Sequence, residues 1–214
     1  MDGSRLQILN LLQRSGHATI DQMSRELSLA SATVRRHLDI LQRDHLVAYT
    51  HVKKKTGRPE YTYHLTEVGQ ELLPKDYGSL LSRLLQEMTT LSPADLGDRS
   101  GGELLQFLFQ RVASRTAAKA TSTTDEPFPQ RVTRALAVLQ DEKFDPEATE
   151  HEGSVRFVLH NCPFRSVARG NDSVCDYDRQ VLTTILGVDL VQEHCINKND
   201  SACCYRIAVP GTAA

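Results

Sequence analysis

No apolar run in the 214-residue sequence approaches the roughly 20 residues that a membrane-spanning helix needs, which excludes that class. The opening Met1-Asp2-Gly3-Ser4-Arg5 lacks the apolar stretch of a secretory leader, so a cytoplasmic location is expected. Catalytic signatures are also missing: there is no G-x-x-x-x-G-K-[ST] phosphate loop, no G-x-S-x-G nucleophile elbow and no H-E-x-x-H helix. The glycines from Gly97 to Gly102 follow no strand and form no dinucleotide fingerprint. An enzyme is therefore not expected. Internal repeats and low-complexity tracts are absent as well, and no cysteine occurs before position 162.

What is present is an ordinary globular composition, 40% hydrophobic and 24% charged, in a chain long enough for two small cores. The net charge of −2 hides an asymmetry. Residues 1–66 hold ten Lys/Arg against six Asp/Glu, a net of +4, whereas the remainder holds fifteen against twenty-one, a net of −6. A basic front and an acidic rear is the distribution expected when one module alone meets phosphate.

Hydrophobic spacing organises that front. Leu6, Ile8, Leu9, Leu11 and Leu12 predict a helix that Ser15-Gly16 ends. Thr19 is the expected N-cap of a second helix over about 19–27, with Asp21 in its first turn. Ser31 is expected to cap a third helix reaching about Asp44, with Val34, Leu38 and Leu41 on its buried face. A strand at 46–52, a basic turn and a second strand at 61–65 complete a winged helix-turn-helix plan.

In a helix-turn-helix, the second helix of the pair enters the major groove. With Val34, Leu38 and Leu41 facing the core, Arg36 and Arg43 point away from it, and Thr33 and Arg35 flank that outward face. His37 falls nearer the buried side and reads as packing or backbone support. Arginine reads guanine with two hydrogen bonds, worth roughly 1–3 kcal/mol of discrimination per pair. Lys53, Lys54, Lys55 and Arg58 in the wing would add salt-dependent phosphate contacts. The expected DNA-contacting set is Ser31, Thr33, Arg35, Arg36, Arg43, Lys53, Lys54, Lys55 and Arg58, and double-stranded DNA is the expected partner. A basic winged helix that binds another protein is the plainer alternative.

Further along, Leu80, Leu81, Leu84, Leu85, Met88 and Leu91 load a helix over 79–91 with too much apolar surface for one face. That helix is expected to bury two sides, one of them against a second subunit. A hinge is expected over Gly97 to Gly102, then a helix over 103–119 and a polar break from Thr121 to Gln130. The rest reads as mixed α/β. Val132, Leu136 and Leu139 mark a helix, Ser154 to His160 a strand, 176–186 a helix closed by Gly187, and 188–193 and 205–209 further strands. The expected class is α+β. Residues 1–70 would form the winged helix, 71–125 a helical dimerisation region, and 126–214 a small α/β sensor domain.

All five cysteines lie in that last region, spaced Cys162-x12-Cys175-x19-Cys195-x7-Cys203, with Cys204 adjacent. Zinc ribbons bring their ligands in tight C-x2-C pairs, and none occurs here. Spacing alone leaves zinc, an iron–sulfur cluster and a thiol switch open.

The segment from Ser31 to Leu41 resembles the recognition helix of bacterial metalloregulator and repressor winged helices, and Gly57-Arg58-Pro59 through Tyr63-His64-Leu65-Thr66 and Gly69 resembles the wing of one branch. Asn161-Cys162-Pro163-Phe164, Cys175 opening a helix, Leu186-Gly187-Val188 and Cys203-Cys204-Tyr205-Arg206-Ile207 resemble the C-terminal domain of SufR-type repressors. The likeness covers most of the chain in the same order. It implies a homodimeric repressor of a palindromic operator that carries an iron–sulfur cluster, [4Fe–4S] ahead of [2Fe–2S], with zinc as the alternative metal. It implies three ligands, Cys162, Cys175 and Cys203. Cys195 is the candidate fourth, since x7 places it across a short turn from Cys203, and His160, His194 or a carboxylate are substitutes. Cys204 is expected on the opposite strand face as a small hydrophobe.

Overall fold

A computed structural model describes residues 3–52, 60–119, 126–151 and 153–210. The class is α+β, in two compact units, Met1–Pro74 and Lys75–Ala214.

The first unit begins with α1 (Gly3–Ser15), the two-residue strand β1 (Ala18–Thr19), α2 (Ile20–Leu27) and α3 (Ser31–Arg43). A hairpin follows, β2 (Val47–Val52) and β3 (Glu60–Leu65), then α4 (Glu67–Leu72). Thr19 caps α2 in a reciprocal box with Gln22. The cap of α3 departs from expectation. Its N-cap is Ala30, without a side-chain bond, and Ser31 is already helical. The Ser31 hydroxyl instead takes a hydrogen bond from Ser24 Oγ at 3.1 Å, tying α2 to α3. The strand β1 also goes beyond the expected hairpin, adding an edge to give the order β1-β3-β2. Ile8, Leu9, Leu12, Met23, Val34, Leu38 and Leu41 fill a purely aliphatic core.

Gly69 shows why α4 closes on this unit so tightly. A Cβ there would stand 2.1 Å from the Leu46 carbonyl oxygen. The Thr66 hydroxyl donates to the His45 carbonyl at 2.5 Å and accepts from the Gly69 N–H at 3.1 Å, fixing the same approach.

The second unit opens with α5 (Tyr77–Thr89), α6 (Pro93–Leu96) and α7 (Gly101–Ala118). The expected hinge over Gly97 to Gly102 is only partly a loop, because Gly101 and Gly102 form the first turn of α7. Ser100 and Glu103 close a capping box there that outweighs the glycines. α5 does not bury both sides within the chain. Leu80 is buried, but Leu81, Leu85 and Met88 stay more than half exposed in a stripe one turn apart.

Then come α8 (Phe128–Asp141), β4 (Pro146–His151), β5 (Ser154–Leu159), α9 (Arg165–Ala168), α10 (Asp176–Leu186), β6 (Leu190–His194) and β7 (Cys203–Ala208). α8 begins inside the expected polar break. The strands form an antiparallel sheet in the order β4-β5-β7-β6. Val155, Phe157, Leu159, Tyr205 and Ile207 point from it into one core shared with α7, α8 and α10. Gly187 ends α10 in the left-handed conformation (φ 68°) and so supplies the expected cap. Among the described residues, no helix is long and apolar enough to cross a membrane.

Candidate DNA-reading surface and thiol site

On α3, Val34 and Leu38 are buried and Leu41 is 1% exposed, which turns the opposite face outward. Arg35, Arg36 and Arg43 are exposed on it, and Thr33 is half-buried at its edge. Arg43 has a loose ion pair with Asp44, at 3.8 Å. His37 is half-buried, in keeping with packing. Ser31, committed to the α2 contact, sits at the helix start. Lys53, Lys54, Lys55 and Arg58 lie outside the described residues.

The second site is assembled by sheet topology. In the order β5-β7-β6, with every pair antiparallel, the ends of β5 and β6 and the start of β7 share one edge of the sheet. Cys162 lies three residues beyond β5, Cys195 directly follows β6, and Cys203 is the first residue of β7. Cys175 stands at the N-terminus of α10, which packs across the same end. Four thiols far apart in sequence are thereby neighbours.

Hydrogen bonds hold their loops. Asn161, beside Cys162, is buried; its N–H donates to the Phe144 carbonyl at 2.9 Å and its Nδ2 to the Lys143 carbonyl at 2.6 Å. The Cys195 N–H donates to Asp200 Oδ2 at 2.8 Å. Asn197 Nδ2 donates to Asp172 Oδ1 at 3.1 Å, joining the turn after Cys195 to the turn before Cys175.

The thiols share charge unequally. Cys195 is held far below the usual thiol range by hydrogen bonds from Cys175 and Cys203, helped by the N–H groups of Asn197 and Lys198. Donating to Cys195 in turn drives Cys175 and Cys203 far upward. The Ile196 N–H donates to Cys203 Sγ at 3.4 Å. Burial pushes Cys162 up to about 12, with the charge of Asp178 adding to it and Lys75 and Arg165 opposing it.

Asp178, in the first turn of α10, is buried beneath the thiols and accepts from the Tyr205 hydroxyl at 2.6 Å. Burial raises its carboxyl to about 7. Cys162, Cys175, Cys203 and Asp178 border a cavity of about 20 Å³, roughly the room of one water. Among the described residues, no three His, Cys, Asp or Glu side chains stand as a ready metal-binding group. Cys195 lies between two of the thiols, taking hydrogen bonds from both Cys175 and Cys203. No disulfide joins the five cysteines.

Of the substitutes for a fourth donor, His160 pairs with Glu147 at 3.2 Å and His194 with Asp200 at 3.6 Å. Cys204 pairs across to Val158 on the face opposite Cys203 and is buried, as expected for a packing residue.

Sequence reasoning missed Asp178 and the network beside it. Arg83 Nη1 on α5 lies 2.7 Å from Glu142 Oε2 and 2.7 Å from the Tyr177 hydroxyl, with Thr116 Oγ1 at 3.2 Å. Tyr177 follows Cys175 by two residues and stacks among Phe144 and Phe164. An aspartate in the first turn of a helix reads as dipole compensation, so nothing in the sequence marked Asp178 as buried.

Residues 1–48 match the family described as winged helix-turn-helix DNA-binding. No curated protein matches the sequence. Among solved structures, the chain is similar to Bacillus subtilis PadR in complex with operator DNA, at 16% identity, over 64% of this chain and 90% of that one, with a TM-score of 0.30. No residue role is carried over from a likeness of that size. The N-terminal unit is a winged helix-turn-helix DNA-binding domain.

Proposed function

We propose that this DNA-binding regulator of the winged-helix type is a homodimeric repressor of a palindromic operator, and that Cys162, Cys175, Cys195 and Cys203 hold an iron–sulfur cluster. A [4Fe–4S] form is favoured over [2Fe–2S], following the SufR-type resemblance. The observation that carries the reading is the convergence of four thiols on one end of the C-terminal sheet.

The donor set fits such a group in its chemistry. Thiolates are the usual ligands, and N–H groups aimed at the sulfurs tune it. Here Ile196 donates to Cys203, and Asn197 and Lys198 donate to Cys195. Lys75 and Arg165 offset negative charge at Cys162. When bound, the cluster supplies oxidant-sensitive iron. The protein's own part is to pass the state of the thiol loops onward. Tyr177 follows Cys175 and holds Arg83, which anchors α5. The exposed stripe Leu81, Leu85 and Met88 on α5 is the surface for a second copy. In such a dimer, two copies of α3 would meet half-sites one helical turn apart, about 34–36 Å. A ligand shifts this equilibrium only by its differential affinity for the two states.

A zinc- or thiol-based sensor is the second reading. It is favoured by the hydrogen bonds that join Cys175 and Cys203 to Cys195, since neighbouring thiols can be paired by an external oxidant. Anaerobically purified protein separates the two. A broad visible absorption with iron and acid-labile sulfide in matching amounts supports the cluster. A protein that stays colourless after anaerobic reconstitution overturns it and leaves the second reading.

A further inference from the structure

The core-facing side of the wing hairpin runs on past the helices that cover it. Register pairs Val47 with Leu65, Tyr49 with Tyr63 and His51 with Tyr61, and alternate residues of a strand share a face. Val47 and Leu65 are buried in the aliphatic core, and Tyr63 packs partly against it. Tyr49 and Tyr61 emerge, 46% and 41% exposed. The four rings form one continuous patch. Tyr49 lies 5.1 Å from Tyr61 and 6.0 Å from Tyr63, and His51 lies 4.3 Å from Tyr61, measured between centroids.

This patch adjoins α3. The Tyr63 phenol, raised by burial, also feels the charges of Asp39 and Arg35, which sit one turn apart on the exposed flank of that helix. A surface made of Arg35 and phenol hydroxyls suits a polyanion, and Lys53, Lys54, Lys55 and Arg58 follow Val52 in the sequence. Asp39, Asp44 and Glu60 are the acidic residues between Ser31 and Leu65 in the sequence. Cross-strand aromatic pairs also stabilise hairpins, but that needs the rings and not their hydroxyls.

We propose that Tyr49 and Tyr61 are DNA-contacting residues whose hydroxyls donate to phosphate oxygens of duplex DNA lying along the flank of α3. This rests on the DNA-binding reading and extends it, because these donors carry no charge. Lysine and arginine contacts release counterions and steepen the salt dependence, whereas phenol contacts add affinity at every salt concentration.

The test is the double variant Tyr49→Phe/Tyr61→Phe in the full chain, with a mixed-sequence 30-base-pair duplex (chosen as a generic probe of about three turns) titrated across salt concentrations of about 50–200 mM. Binding is expected to weaken about tenfold, the combined effect of two lost hydrogen bonds. The slope of log affinity against log salt, and the melting temperature, should stay unchanged. Arg35→Ala run in parallel should flatten the slope by about one unit. Unchanged affinity of the double variant, or a loss matched by a lower melting temperature, overturns the proposal. Failure of the wild-type protein to bind the duplex at any salt overturns the DNA-binding reading itself, and this inference with it.

Discussion

The two units are built on opposite plans. In Met1–Pro74 the core is aliphatic, Tyr49 and Tyr61 emerge on the hairpin, and Arg35, Arg36 and Arg43 are exposed on a single helix. In Lys75–Ala214 aromatic side chains enter the core. Phe144, Phe164, Tyr177 and Tyr205 are buried, and polar groups accompany them: Asp178 under Tyr205, Glu142 and Arg83 against Tyr177. The first plan presents charge on a rigid apolar scaffold. The second buries titratable groups and gives them partners inside the core. Such a buried polar network is costly as soon as one of its members loses its partner.

Arg83→Ala should strike the second plan hardest. It leaves Glu142 and the Tyr177 hydroxyl without their cation, and because about a fifth of each charged side chain still meets solvent, a loss of about 2–3 kcal/mol is expected. Calorimetry should show the transition of the second unit fall while that of the first holds. Gly69→Ala should do the reverse. The new methyl meets the Leu46 carbonyl, so the first unit should lose about 1–3 kcal/mol and the thiol chemistry should be untouched. If both variants shift a single shared transition, the units are not independent and the comparison fails.

Arg36→Ala removes an exposed side chain from α3, so thermal stability should hold while operator affinity falls by roughly 1–3 kcal/mol, seen by fluorescence anisotropy. An unchanged affinity would move the reading surface elsewhere. The smallest effect belongs to the cap of α7. Hydrogen bonds from the Ser100 N–H and hydroxyl hold Glu103 below its ordinary 4.5. A depressed carboxyl contributes stability that is present above its unfolded value and lost as pH falls through the folded one. Glu103→Gln should therefore melt slightly lower at neutral pH and converge with the wild type in acid; a deficit that persists in acid would assign the loss to something other than charge.

How much of this is legible in sequence follows the same divide. α2, α3 and α10 are read from spacing and caps because helices are local: Thr19 and Gly187 carry their own signals. β4 is not, since Pro146-Glu147-Ala148-Thr149-Glu150-His151 is an edge strand with Ala148 alone packed on the core and no apolar alternation to see. β1 is too short for any pattern. The α3 cap misleads because Ser31 has the composition of a cap but spends its hydroxyl on Ser24. The four cysteines are legible as a set, yet their meeting depends on the β5-β7-β6 order and on α10 crossing it, which is long-range information. Asp178 and Arg83 are illegible for the same reason.

In the proposed function the thiol site of one unit governs the DNA affinity of the other. The most direct measurement is the affinity of one preparation for its operator, at fixed salt, before and after the iron is removed under anaerobic conditions. A difference of about tenfold or more is expected, within the usual range of coupling between sites. Equal affinity in the two states, with DNA binding intact, would contradict it.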